Sequence, residues 1–316
     1  MIEALGPRCL TALLVLASGL TACDLPGRLL PPPSSPSQVL RLDAETHLRQ
    51  GSLRRGAVVA AITHPLDSDV AGRPFMESQV RVSVDGVTVG LMHGARVPAE
   101  RTPWSLLQIA ELDRSNPYPE VLLASFTAGA HCCTEIRVLS SDRTRRRWQL
   151  ASLGPFDGGP HPAKDPLRSG TALITGIDNR FLDPLDGDAA SVAPRRFWQL
   201  QGSRFVDVTH QPRFLPLHRQ HLQELEAQFR SFPAPQVSNG FLAGDVATAA
   251  LVGEFDAAWQ AMLARYDRHS DWGLRQCIAG YDDQGLCREP ELVAADFSSA
   301  LAAFLVETGY RSVSPR

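Results

Sequence analysis

The stretch QVRVSVDGVTVGLM, residues 79–92, constrains the fold of this chain more than any other. Val80, Val82 and Val84 alternate with polar residues, Asp85 and Gly86 supply a two-residue turn, and Val87, Val89 and Leu91 resume the alternation. Successive strand side chains point to opposite faces, and Asp-Gly suits the tightest hairpin turns. The spacing therefore predicts an antiparallel hairpin with Val84 opposite Val87 and Val82 opposite Val89. All six apolar side chains would then share one half-buried face.

Further strands are expected at 106–110, 121–126, 135–140, 147–153 and 172–177, and a second hairpin at 197–201 and 204–208 turning on Gly202 and Ser203. Long Pro/Gly/Asp stretches at 154–166 and 183–194 are either functional loops or incompletely read strands. After about Pro216 the period becomes helical. Residues 217–232 have helical composition, Phe255, Trp259, Met262 and Tyr266 fall on one face of 241–266, and Val293, Phe297, Leu301, Phe304 and Leu305 on one face of 292–308. Both stripes read as core. The expected class is α+β, an antiparallel strand-rich domain over 39–215, propeller-like or sandwich-like, followed by a small helical domain over 216–316.

The N-terminus sets the compartment. Residues 9–20, CLTALLVLASGL, follow Arg8 and span roughly 18 Å as a helix, too short for a hydrocarbon core of about 30 Å. They read as a signal-peptide core within residues 1–22. The ending LTAC resembles the lipobox of bacterial lipoproteins, which makes Cys23 the acylated first residue of the mature chain and ties the protein to a membrane without a spanning helix. Asp24 resembles an inner-membrane retention signal, with the choice of membrane left open. Residues 23–38 carry prolines 26, 31, 32, 33 and 36 with serines between, an extended tether holding the body in the periplasm. With 31 Lys+Arg against 34 Asp+Glu the net charge is −3, which excludes an overall electrostatic footprint for nucleic acid.

Signal removal and acylation leave Cys132, Cys133, Cys277 and Cys287, which allow three connectivities in an oxidising compartment. Cys277 and Cys287 flank a turn-like YDDQG. The preferred pairing joins these two and leaves Cys132 and Cys133 for each other, a strained vicinal ring that would lock a sharp turn. Inter-domain crossing and free or metal-bound thiols are the alternatives. In the metal reading, His131 with Cys132 and Cys133 converges in a turn, His161 is a fourth ligand, and copper or zinc is the cation.

Glu111, Asp113 and Ser115, followed by Glu120, place oxygens at calcium-loop positions, but Asn116 replaces the expected glycine and one residue is inserted before the closing acid. A polar turn before a strand is the preferred reading, and no cofactor is expected. No GxSxG, HExxH, GxxxxGKS or GxGxxG occurs. The cluster Arg143, Arg145, Arg146, Arg147 reads as a solvated strand edge.

The run LDRSNPYPEVLLASFTAGAHCCTEIRVL resembles a "DLDGDGxPEV … TGGAHCC" segment in a family of exported bacterial proteins of unassigned function, themselves similar to degenerate FG-GAP/VCBS repeats. ITGIDNRFLDPLDGDAASVAPRRFWQL with FVDVTH resembles a second repeat, and FLAGDVATAALVGEFDAAW with ALAAFLVETGY the same family's C-terminal region. Ala128 stands where that family's first glycine is usual. The resemblance implies propeller-like or related strand units followed by helices, and no established activity. The function expected is a membrane-anchored envelope lipoprotein acting as a non-catalytic binding or scaffolding module for an envelope protein or ligand. The rival expectations are a copper- or zinc-handling protein and an envelope hydrolase with a site assembled from distant residues.

Overall fold

The computed structural model describes residues 38–311 apart from 44, 47, 102, 130, 131, 232–236, 278–281, 283–285 and 288–290. The signal segment, Cys23, the tether up to residue 37 and His131 lie outside the described residues.

The chain begins with β1 (Gln38–Leu42), β2 (Gln50–Arg55), β3 (Val58–Thr63), β4 (Leu66–Ser68), β5 (Pro74–Val84) and β6 (Val87–Pro98). It continues with β7 (Ser105–Ala110), β8 (Glu120–Phe126), β9 (Cys132–Ser141), β10 (Trp148–Asp157), β11 (Ile174–Ile177), β12 (Arg195–Gln201) and β13 (Arg204–Asp207). Helices α1 (Leu215–Ser231), α2 (Asn239–Val252) and α3 (Phe255–Leu263) follow. A ribbon of β14 (Arg275–Cys277) and β15 (Glu291–Val293) precedes α4 (Phe297–Glu307). The class is α+β, with antiparallel sheets followed by a small helical region and no closed barrel among the described residues.

The sheets are layered. The central one runs β1-β7-β8-β9-β10, and β7 and β8 are buried on both faces, which is why SLLQIA and EVLLASF read as nearly continuous apolar runs. One face puts Leu107, Ile109, Val121 and Leu123 against Val80, Val82 and Met92 of the β2–β6 sheet. The other puts Leu106, Leu122 and Ala124 against Ile174, Trp198 and Leu200 of the β11-β12-β13 sheet. Each fully buried aliphatic side chain here contributes about 1.5–3 kcal/mol of transfer free energy.

The first hairpin forms, but its register corrects the expectation. Val84 pairs with Val87 across Asp85 (φ 49°) and Gly86 (φ 83°), a turn with both central residues at positive φ. Val82 pairs with Gly90, not Val89, because a bulge lies between Val82 and Ser83 on the partner register. One extra residue reverses the alternation. Val80, Val82 and Val84 face the core, whereas Val87 and Leu91 are 67% and 58% exposed and Met92 turns inward. Gly90 lies against the Leu139 side chain of β9, where a Cβ would clash, so the bulge sets the strand down on the central sheet where a side chain has no room.

Strands β7, β8, β12 and β13 lie at their expected places, and β10 runs on to Asp157. Strands β1 to β4 escaped the reading because QGSLRR and LDS carry too little apolar alternation. The 241–266 stripe is not one helix. Gly253 (φ 83°) ends α2, its N–H on the carbonyls of Ala249 and Ala250, and α3 starts afresh. Of that stripe only Met262 is fully buried, with Phe255, Trp259 and Tyr266 packed at the rim of the helical core. The 292–308 segment is likewise divided, since Val293 belongs to β15. Among the described residues no helix is long and apolar enough to cross a membrane.

Candidate functional site

The turn between β8 and β9 is closed by its own backbone. Thr127 N–H donates to the Cys133 carbonyl (2.8 Å) and Cys133 N–H to Thr127 Oγ1 (3.0 Å), while Arg101 Nη1 donates to the Ala128 carbonyl (2.7 Å). Ala128 has φ 65°, a left-handed conformation that glycine adopts without steric cost and alanine rarely takes. Cys133 is in a disulfide, and the side chain of Cys132 lies outside the described residues. A disulfide sulfur is not the thiolate that copper or zinc takes.

Beside this turn, β10 ends irregularly. Its register shifts twice between Leu153 and Asp157, which brings Asp157 opposite Cys132. Phe156 packs on Trp198 with ring centroids 4.9 Å apart, and Trp104 packs on Phe126 at 5.8 Å. Gly159 lies so close under Trp104 that a Cβ would enter the indole ring. Thr134 Oγ1 donates to the Gly158 carbonyl (2.6 Å), stitching β9 to this loop. His161, just beyond it, is exposed.

The loop after β11 meets Asp157 across a cleft. Asn179 Oδ1 accepts from Asp157 N–H (3.4 Å), and Asn179 Nδ2 donates to the Pro155 carbonyl (3.1 Å). Asp157, Asn179, Leu182, Asp183, Gly187 and Asp188 line an open cleft of about 580 Å³. Its lining carries three carboxylates, of which Asp157 and Asp188 already have interactions of their own.

The helical region holds this loop in place. Trp272 Nε1 donates to the Asp183 carbonyl (2.6 Å), and the Pro184 carbonyl oxygen sits against the Cα of Gly273, whose φ of 72° and close approach both demand glycine. Asp186 Oδ2 accepts from Gly240 N–H (3.3 Å) in the first turn of α2, and Ser238, the N-cap residue, donates Oγ–H to the Ala190 carbonyl. The Val192 carbonyl presses on Gly244. Two glycines four residues apart thus open one face of α2 to backbone contact.

The acidic loop picked out in the sequence closes on the protein's own donors. Glu120 is fully buried, with Oε2 accepting from Leu112 N–H (2.7 Å) and Asp113 N–H (3.1 Å), and Oε1 from Asn116 Nδ2 (2.6 Å) and Ser140 Oγ (3.2 Å). Burial pushes its pKa up to about 7 against those donors. Asp113 accepts from Ser115 N–H (2.9 Å) and Gly202 N–H (2.7 Å). Glu111 Oε1 is buried without a hydrogen-bond partner among the described residues, and burial raises its pKa. In the loop after β11 Asp178 is buried and pairs with Arg180 at 2.5 Å. Among the described residues no group of three or more His, Cys, Asp or Glu is arranged to hold a metal ion.

The cleft residues Asp157, Asp183 and Asp188 were not singled out from the sequence. The available signal was the length of the two Pro/Gly/Asp stretches that carry them.

Comparison with known proteins places the molecule in a family. Residues 218–309 match the family described as the sll0997 C-terminal domain. Over 261 residues the chain is 41% identical to the probable thylakoid lumen protein sll0997 of Synechocystis sp., covering 82% of this chain and 75% of that protein. This chain belongs to the sll0997 family. It is also 30% identical over 204 residues to the uncharacterized protein y4bJ of Sinorhizobium fredii, covering 65% of this chain but only 32% of that one. No solved structure matches it. Ser238, Gly240, Gly244, Trp272 and Gly273 all fall in the segment that matches the sll0997 C-terminal domain, so that domain is the part which clamps the cleft loop.

Proposed function

We propose that this protein is an exported, lipid-anchored binding module, not an enzyme, and that its cleft beside the cysteine turn receives a positively charged group of an envelope partner. Export agrees with the short apolar N-terminal run and with the name of a relative as a probable lumen protein. Anchoring rests on Cys23 in LTAC. The resemblance to degenerate FG-GAP/VCBS repeats fits the same reading, with acidic loops closing the strand units.

The observation that carries the proposal is the loop 183–192, fixed from one side by Trp272 and Gly273 and from the other by Ser238, Gly240 and Gly244, with Asp183 lining the cleft. A rigid acidic surface loses little conformational freedom on binding, as recognition requires. Its lining of carboxylates, one carboxamide and small apolar groups suits contact with a basic side chain.

Two measurements test the reading. Fractionation of cells expressing the full chain should find it with membranes, and Cys23→Ser should release it to the soluble fraction; unchanged partition would refute the anchor. A lysine-rich peptide should bind the soluble form in a salt-sensitive manner and at least ~tenfold more weakly after Asp183→Asn. Equal binding by the variant would refute the cleft.

A further inference from the structure

Helix α2 reads NGFLAGDVATAALV, apolar on nearly every side, as suits a helix covered on both faces. Gly240 and Gly244 take the cleft loop. At about 100° per residue, Leu242, Asp245 and Ala249 fall on the opposite side. That side looks into a cavity of about 310 Å³ between α1, α2 and α3. Leu222, Phe229, Leu242 and Ala258 supply apolar wall, and the small Ala257 and Ala261 of α3 leave the space open.

Asp245 is the one ionisable residue of α2. Its Oδ1 is buried and accepts no hydrogen bond from any described residue. Burial, then the neighbouring Glu226, pushes its pKa up to about 6. Glu226 and Glu254 line the same cavity and add negative charge, while the lining Arg230 has its guanidinium 3.9 Å from Glu226 on the helix surface. Taking one carboxylate oxygen out of water without a partner is costly, and a cation delivered into the cavity would remove that cost.

The geometry points to a second binding site here, for a small ligand that carries one primary ammonium group on a compact apolar body. The ammonium meets Asp245 and the body lies against Leu222, Phe229 and Leu242. A volume at the low end of small-molecule pockets, roughly 300–1,000 Å³, limits the ligand to a single ring or a short chain.

Calorimetric titration of the soluble chain with benzylamine and with the neutral isostere benzyl alcohol tests the site. Benzylamine should bind saturably at one-to-one stoichiometry, and benzyl alcohol at least ~tenfold more weakly. Asp245→Asn should weaken benzylamine by ~tenfold or more and leave the alcohol unchanged. Ala261→Leu, at an exposed helix position, should fill the mouth and weaken both ligands, with melting temperature unchanged. Absence of saturable benzylamine binding, equal affinity for the alcohol, or full benzylamine affinity in Ala261→Leu would each overturn the proposal. The comparison of the two ligands in the unaltered chain decides the matter even should Asp245→Asn fail to fold.

Discussion

Tyr310 donates its hydroxyl to Asp178 Oδ2 at 3.0 Å, joining the turn that follows α4 to the residue just after β11. Asp178 also takes a fork from Arg180 (2.8 and 2.5 Å), and Arg196 approaches to 3.9 Å. Asn179, which bridges to β10 beside the cleft, is the next residue. The last helix is therefore tied to the frame of the cleft through one buried carboxylate.

Tyr310→Phe should cost about 1.5–3 kcal/mol in urea unfolding, the value of a hydrogen bond to a charged group. Burial raises the Asp178 pKa, but Arg180, Arg196 and Tyr310 more than offset it and hold the carboxyl below its ordinary range. A depressed folded pKa gives stability that is present above the unfolded value of 3.8 and lost as pH falls through the folded one. The unaltered chain should thus lose stability below pH ~4 by a component that Asp178→Asn lacks.

Glu120 predicts the opposite slope. Its folded pKa is raised from 4.5 to about 7, so its contribution is fully present below 4.5 and is lost as pH rises through 7. Between pH 5 and pH 8 the stability difference between the unaltered chain and Glu120→Gln should shift against the unaltered chain by on the order of 2 kcal/mol. Glu120→Ala should cost about 2–4 kcal/mol, since it strands two buried backbone N–H groups. Denaturant melts at both pH values measure each quantity.

Gly244→Ala should destabilise by about 2–3 kcal/mol, because its methyl would overlap the Val192 backbone oxygen, which cannot rotate away. Gly90→Ala should cost about 1 kcal/mol, since its obstacle is the movable tip of Leu139. Equal losses in thermal unfolding would contradict this distinction.

The disulfide Cys277–Cys287 spans 5.6 Å between Cα atoms and closes a loop of sequence separation 10. Replacing both cysteines by serine should lower stability by about 2–3 kcal/mol on the chain-entropy account. Non-reducing peptide mapping with and without reductant verifies the bond.

Periodicity made the layers legible where one face decides the residue type. Val80, Val82 and Val84 announced a core-facing strand, and the nearly continuous apolar runs of β7 and β8 announced strands, which the fold covers on both faces. It misled at Val87, Val89 and Leu91, because a bulge depends on how β6 meets Leu139 and not on local pattern. It also ran α2 and α3 together, although Gly253 offered a stop signal. The cysteine turn was visible, but its neighbour Asp157 was not, since β10 reaches Cys132 only through two register shifts.

The sequence by itself determined the strand-then-helix order, the hairpin turns and the helix stop at Gly253, because these follow from local alternation and from conformations that few residues adopt. Only the tertiary structure decided which acids share a cleft and why α2 carries Gly240, Gly244 and Asp245. Those residues answer to backbone and cavities contributed by parts of the chain tens of residues away, and contact at that range leaves no period in the sequence.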